Sequence, residues 1–254
     1  MRKRAEVQLN LGNKQADQGN FNNALILLNE ALRLAVVTDD PGLRIRARLS
    51  RSNALFSSGY GDEARAGWNK ALSEAEEIGN SGLAAVCRIH IERGKLLSPE
   101  GKSSAQSVRD AVNRDLGLIK QDRYYAAFAW MVISRAEKEL GRYGDAEAAA
   151  RRSLDIHEKD RYFELAAYDW FMIASFRSLA ADYRGARQAL ENALAFDRRV
   201  ENSWGLASDW HALGDVQAKA GDRPAARAAY QRAAEIYRAL GNDETAEQIL
   251  AKIE

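Results

Sequence analysis

Cysteine is almost missing from this chain, proline is scarce, no long apolar run occurs and the two signs of charge nearly cancel. Each shortage removes a class of protein. Cys87 is the one cysteine in 254 residues, so no intrachain disulfide can form. A reducing, cytoplasmic setting is the simpler expectation, with an exported mature chain left open. Only 3 prolines interrupt a composition led by alanine, leucine, arginine and glutamate, which favours helix nearly everywhere and leaves little for strands. No stretch approaches the roughly 18 consecutive apolar residues of a membrane span, so no membrane insertion is expected. Met1-Arg2-Lys3-Arg4 is a basic start, but Ala5-Glu6-Val7-Gln8-Leu9-Asn10 behind it is not the apolar core of a signal peptide. With 37 basic and 36 acidic residues the formal charge is +1, and no global field draws the molecule to nucleic acid or an anionic surface.

What is present is a repeat. Ala24, Ala64, Ala105, Ala146, Ala186 and Ala226 align at successive spacings of 40, 41, 41, 40 and 40 residues. Several of these alanines follow a turn of one kind: Gly19-Asn20-Phe21, Gly59-Tyr60-Gly61-Asp62, Gly141-Arg142-Tyr143-Gly144-Asp145 and Gly221-Asp222-Arg223-Pro224. Glycine can take the left-handed conformation that ends one helix, and an Asp or Asn after it can accept bonds from the open amides of the next. Polar links such as Thr38-Asp39-Asp40-Pro41-Gly42, Gly79-Asn80-Ser81-Gly82 and Gly241-Asn242-Asp243 separate the units. Each unit therefore reads as helix, turn, helix. Such a hairpin cannot bury its apolar face alone, so neighbours must stack.

Trp210-x-x-Leu213-Gly214 followed by Ala226-x-x-x-Tyr230-x-x-Ala233 resembles the tetratricopeptide repeat (TPR), as do Leu11-Gly12, Gly19, Ala24, Leu28 and Ala31 in the first unit. The resemblance covers roughly residues 5 to 240. It implies an all-α fold, a right-handed α-solenoid of about six TPR-like helix-turn-helix repeats plus a C-terminal capping helix. As one domain spanning 1–254, the repeats run approximately over 5–40, 43–80, 83–120, 123–160, 163–200 and 204–241, with the cap over 243–254 and Ala246, Ile249, Leu250 and Ile253 on its apolar side. A period above the usual 34 residues is similar to the long-repeat branch found in bacterial peptide-sensing regulators and motor light chains. The third unit departs from the pattern, with Ser98-Pro99-Glu100-Gly101-Lys102 in place of a short turn.

Three motifs resemble chemistry. Gly59-Tyr60-Gly61-Asp62-Glu63-Ala64 satisfies a permissive dinucleotide pattern, and Gly101-Lys102-Ser103 the end of a phosphate-binding loop, but both lie between helices, where such sites need a strand first. No cofactor is expected. Cys87 and His90 can share a helix face, yet neither has a second pair nearby, and His157 and His211 lie in other repeats, so no metal site is expected either. Arg44-Ile45-Arg46-Ala47-Arg48, Arg151-Arg152 and Arg198-Arg199 are interspersed with acidic neighbours, the pattern of solvated helical faces, which disfavours nucleic acid as a partner.

The aromatics concentrate between residues 124 and 176. Trp130, Trp170 and Trp210 share one repeat position and are expected in the core between helices. A step of one residue turns the side chain by about 100°, so Leu9, Leu49, Met131, Phe171 and His211 form a different column. In the resembling family this column lines the concave groove. One turn further along lie Asn13, Asn53, Arg135, Ser175 and Asp215, and one turn earlier lie Phe128, Tyr168 and Ser208. In that register Asn13 and Asn53 offer amides to a peptide backbone, while Phe128, Met131, Tyr168 and Phe171 take apolar side chains. Alternatively these residues only complete inter-repeat packing. Asn13 fits one position of the family's clamp for carboxyl-terminal peptides, but Leu9 and Ser50 stand where its lysine and second asparagine belong.

The reading is a non-enzymatic scaffold that binds a protein or peptide segment in the groove. A small-ligand or signalling-peptide sensor that changes superhelical shape is the alternative. An enzyme comes third, since it would need an organised polar cluster around Cys87 and His90. The partner's identity and the oligomeric state stay open.

Overall fold

The structure, a computed structural model, describes residues 1–99 and 101–253. Among them there is no strand; the chain forms helical hairpins and a short final helix. The hairpins are α1 (Arg2–Asp17) with α2 (Phe21–Val37), α3 (Pro41–Ser57) with α4 (Gly61–Glu77), α5 (Ser81–Leu96) with α6 (Gly101–Ile119), α7 (Arg123–Glu139) with α8 (Tyr143–Lys159), α9 (Phe163–Leu179) with α10 (Tyr183–Arg199), and α11 (Ser203–Lys219) with α12 (Arg223–Ala239). The final helix is α13 (Asp243–Leu250). The chain divides into two compact units, Met1–Val132 and Ile133–Glu254, with the boundary inside α7. Within the first unit α1 to α5 each pack on the next helix, and within the second the same holds for α8 to α12. This consecutive packing is that of an α-solenoid. Among the described residues no helix is long and apolar enough to cross a membrane.

The alanine ladder explains the stacking. Ala24, Ala64, Ala105, Ala146 and Ala186 are 0% exposed and Ala226 is 3% exposed, so each sits where two helices touch and any larger side chain would overpack. Large residues fill the remaining space. Trp68 and Phe176 are both fully buried, and the Trp68 indole Nε1 donates to Asn53 Oδ1 at 3.0 Å.

The tryptophan column is shallower than its spacing suggests. Trp130, Trp170 and Trp210 are half-buried rather than core residues. Trp170 and Trp210 lay their apolar bodies on the buried cluster of the second unit. Trp170 Nε1 donates to Glu158 Oε1 at 3.3 Å, and the guanidinium groups of Arg151 and Arg198 stand 5.8 and 6.0 Å from the Trp170 and Trp210 rings. An indole is too large for the alanine-lined contact but can close its rim, where its face meets a cation.

The hairpin turns at Gly19, Gly59, Gly141 and Gly221 all place glycine at φ between +73° and +87°. In the fifth hairpin the same place is held by Ala181 at φ +61°, a conformation that disfavours a Cβ. The caps differ from the sequence expectation. Asp222 accepts from the Ala225 amide at 3.1 Å, but Asp62 and Asp145 lie one or two residues inside their helices. Those two place negative charge at the helix start instead of closing it. The polar links behave as expected: Asp40, Asn80 and Asn242 accept from the amides of Leu43, Leu83 and Thr245.

In the irregular third hairpin, Glu100 lies outside the described residues. Gly101 opens α6 and the element before it in the chain is α5, so the phosphate-loop motif has a helix, not a strand, before it. At the chain's end α13 stops at Leu250, short of the 243–254 segment read from the sequence. Ala251 and Lys252 form a turn, and Glu254 lies outside the described residues. Ala246 and Ile249 are buried, with Leu250 and Ile253 packed beside them.

Candidate peptide-binding cleft

In the first unit the expected groove residues are largely engaged with their own neighbours. Leu9 and Leu49 are buried at 7% and 2% exposure. Leu9 joins the cluster containing Leu43 and Ala47 because α1 packs directly on α3, so this end of the column belongs to the core. Asn13 is half-buried on α1. Asn53 uses its carbonyl oxygen to hold Trp68, which leaves its amide group as what it can offer a ligand. Phe128 stacks on His90, ring centroids 4.4 Å apart, and Met131 is half-buried.

The Cys87 and His90 pair is not poised for nucleophilic chemistry. Cys87 is 0% exposed and burial pushes its thiol up to about 12. Burial, with the nearby Arg93 charge, pushes His90 down to about 3. The thiol therefore stays protonated and the imidazole neutral around pH 7, whereas a nucleophile needs the thiolate.

The second unit has an open cleft of about 160 Å³. Phe171, Ser175, Ser178 and Leu179 of α9 form one wall, Ala212, Asp215, Val216 and Lys219 of α11 the other, and Leu190 of α10 the floor. Three residues of the expected groove, Phe171, Ser175 and Asp215, are thus brought together. They meet because residues four apart on one helix share a face, and the repeat sets α9 beside α11. Lys219 Nζ reaches Ser178 Oγ at 3.4 Å, a long bond across the mouth. Arg135 donates to the Tyr168 hydroxyl, a pairing of two expected groove residues separate from this lining.

His211 and Asp215 are joined by a residue outside the expected set. Lys252 Nζ donates to Asp215 Oδ1 at 2.8 Å and lies 2.8 Å from His211 Nε2, while the Tyr230 hydroxyl donates to the same Asp215 oxygen at 2.8 Å. Burial pushes the Asp215 carboxyl up, but the bonds from Lys252 and Tyr230 outweigh it and leave the group below the usual carboxylate range. Burial and the Lys252 charge lower His211, against the opposing pull of Asp215. Burial, followed by the bond to Asp215, raises Tyr230. The chemistry on offer is a mixed surface: an aromatic and aliphatic lining, two hydroxyls, one carboxylate and one ammonium.

No protein-family model matches the sequence, and no curated protein matches it. Solved structures do match. A Rap protein complexed with Competence and Sporulation Factor aligns at TM-score 0.68 and 14% identity, over 98% of this chain and 74% of that one. BtubC (BKLC) from P. vanneervenii aligns at 0.65 and 17%, over 93% and 92%. A thermophilic TPR protein in Thermus thermophilus, TTC0263, aligns at 0.54 and 16%, over 80% and 98%. The fold is tetratricopeptide-like. At these identities the likeness speaks for the fold alone.

The TPR-like contact between small and large residues is visible at both ends of the chain. A Cβ on Gly214 would stand 2.5 Å from the Tyr230 ring, and one on Gly12 would stand 2.6 Å from Leu28 Cγ. Gly214 therefore lets the Tyr230 ring approach α11 closely, and that approach carries the Tyr230 hydroxyl to Asp215. Lys219 and Ser178 extend the columns of Asp215 and Ser175 by one further turn, a signal present in the sequence. Lys252 comes from beyond the repeat and has no such signal.

Proposed function

We propose that the protein is a non-enzymatic scaffold that holds an extended segment of another protein in the cleft between α9 and α11. The observation carrying this reading is the convergence of Phe171, Ser175 and Asp215 on one open surface with an apolar floor. A cleft of about 160 Å³ is below the roughly 300 Å³ at which pockets begin to enclose drug-sized molecules. It suits one or two side chains of a passing peptide, with Ser175, Ser178 and Asp215 available to its backbone. The buried, protonated Cys87 and neutral His90 speak against the enzyme reading.

The test is capture of partners from native cells by wild type and by Phe171→Ala, with circular dichroism confirming that both fold. A central aromatic contact is worth about 2 kcal/mol, roughly 30-fold in affinity, so Phe171→Ala should lose the partner. Equal capture by both proteins overturns the cleft reading.

A second reading is favoured by the Rap structure, which holds Competence and Sporulation Factor. By analogy this chain is a sensor whose helices shift when a signalling molecule binds. A ligand-dependent change in X-ray scattering radius distinguishes it from a static scaffold.

A further inference from the structure

Two lysine ion pairs here are local. Lys159 meets Asp155 and Lys95 meets Glu92 along a single helix, four and three residues apart, the kind of contact that contributes little. Lys252 differs. It lies past the end of α13 and bridges residues 37 and 41 positions away in the sequence, Asp215 and His211 of α11.

Three unlike groups converge on its ammonium: the Asp215 carboxylate at 2.8 Å, the His211 Nε2 lone pair at 2.8 Å, and the Tyr230 ring, whose centroid is 5.5 Å away. A carboxylate, a neutral imidazole nitrogen and an aromatic face are each complementary to a primary ammonium. The receptor does not depend on Lys252 for its shape. Tyr230 is 4% exposed, and its hydroxyl orients Asp215 Oδ1 from α12. Single acceptor atoms in separate directions suit the point charge of an ammonium, whereas a guanidinium is matched by paired carboxylate oxygens.

The occupant is loosely tied. Ala246 and Ile249 anchor α13 at 0% and 1% exposure, but Lys252 lies beyond the last helical residue and its side chain is 42% exposed. It can swing away without unpacking Ile249. Asp215 also lines the cleft beside Phe171 and Ser175, so the carboxylate that Lys252 holds is shared with a chain lying there.

We propose that Asp215, His211 and Tyr230 form a receptor for a primary ammonium, that Lys252 is its built-in occupant, and that a lysine side chain of a protein segment seated in the cleft displaces it. The receptor stands on its own geometry; the displacing segment rests on the cleft reading above.

With 3 histidines in the chain, of which His90 and His157 are buried, the His211 ring is a readily isolated NMR reporter. The probe is Nα-acetyl-lysine methylamide, with Nα-acetyl-norleucine methylamide as its uncharged analogue. In Lys252→Met the His211 resonances should move saturably with the lysine probe and stay still with the norleucine one. Wild type should need about tenfold more lysine probe, because its own side chain competes. Asp215→Asn in the Lys252→Met background should abolish the response. Lys252→Gln repeats the measurement should the methionine variant melt early. No movement in either Lys252 variant, or equal movement with both probes, overturns the receptor; equal affinity in wild type and variant overturns the built-in occupant. The probe is too short to need Phe171, so failure of the cleft reading leaves its response intact. Loss of the response while capture still depends on Phe171 discards the ammonium site alone.

Discussion

One repeat length separates two buried polar pairs in the second unit that occupy the same place and behave oppositely. Between α8 and α9, His157 Nδ1 meets Asp169 Oδ2 at 2.7 Å, both side chains 1% exposed. Forty residues on, between α10 and α11, Asp197 and Asp209 stand in the same two positions at 3% and 2% exposure. Burial raises both Asp169 and Asp209. The bond and charge of His157 work against the rise at Asp169, whereas the Asp197 charge adds to it at Asp209. One histidine-to-aspartate difference thus turns a complementary pair into a pair of acids that must share a proton to remain buried. The second interface compensates in part. Asn202 Nδ2 donates to Asp197 Oδ1 at 3.0 Å while its carbonyl caps α11 by accepting from the Gly205 amide. The lesson is that this solenoid tolerates different polar chemistry at one repeat position, and at both interfaces one buried oxygen, Asp169 Oδ1 and Asp209 Oδ2, has no hydrogen-bond partner.

The comparison can be broken most forcefully at the first pair. Asp169→Ala leaves His157 buried opposite an empty position and should cost about 3 kcal/mol in urea denaturation. A loss within experimental error would mean that the pair contributes nothing. It is sharpened at the second pair by Asp197→His, which rebuilds the His157 and Asp169 arrangement and should gain about 1–2 kcal/mol at pH 8.

The pH dependence gives that variant a second signature. A free aspartate titrates near pH 4, while burial and the neighbouring Asp197 push Asp209 up to about 9. Between these values the folded chain holds a proton that the unfolded chain has released. The pair's contribution is therefore complete below about pH 4 and declines as the pH rises toward 9. Thermal melts at pH 5 and pH 8 should show this decline in wild type and a smaller one in Asp197→His. Parallel behaviour of the two proteins would refute the shared proton.

The smallest effect expected is at the turns. The same forty-residue step carries Ala181 onto Gly221, φ +61° against +83°. Ala181→Gly should stabilise by about 0.5–1 kcal/mol, read as a higher denaturation midpoint; a lower midpoint would mean that the alanine is unstrained.

The hairpins were legible because a buried contact between helices accepts little but alanine, and six alanines at a near-constant spacing report six such contacts. The turn at Ala181 was less legible, since a left-handed alanine carries no mark in the sequence. Phe171, Ser175 and Asp215 could be grouped because helical periodicity puts them in register. The same periodicity misjudged Leu9 and Leu49, because it gives a side chain's direction without saying whether a neighbouring helix covers it. It overstated the burial of Trp170 for the converse reason: an indole exceeds the space its column provides. The acidic pair was hidden, as nothing local distinguishes Asp209 from an exposed aspartate. Lys252 was hidden because its partners are distant in sequence.

The unequal burial of the tryptophans makes the molecule spectroscopically asymmetric. Trp68, sealed in the first unit, sits in a dry environment that keeps indole emission at short wavelength, whereas Trp204 in the second unit is 39% exposed and emits as a wetted indole. Emission collected at long wavelength therefore weights Trp204, and quenching by iodide removes Trp204 before it touches Trp68. Loosening of either half can in this way be followed in the unlabelled protein by its own light.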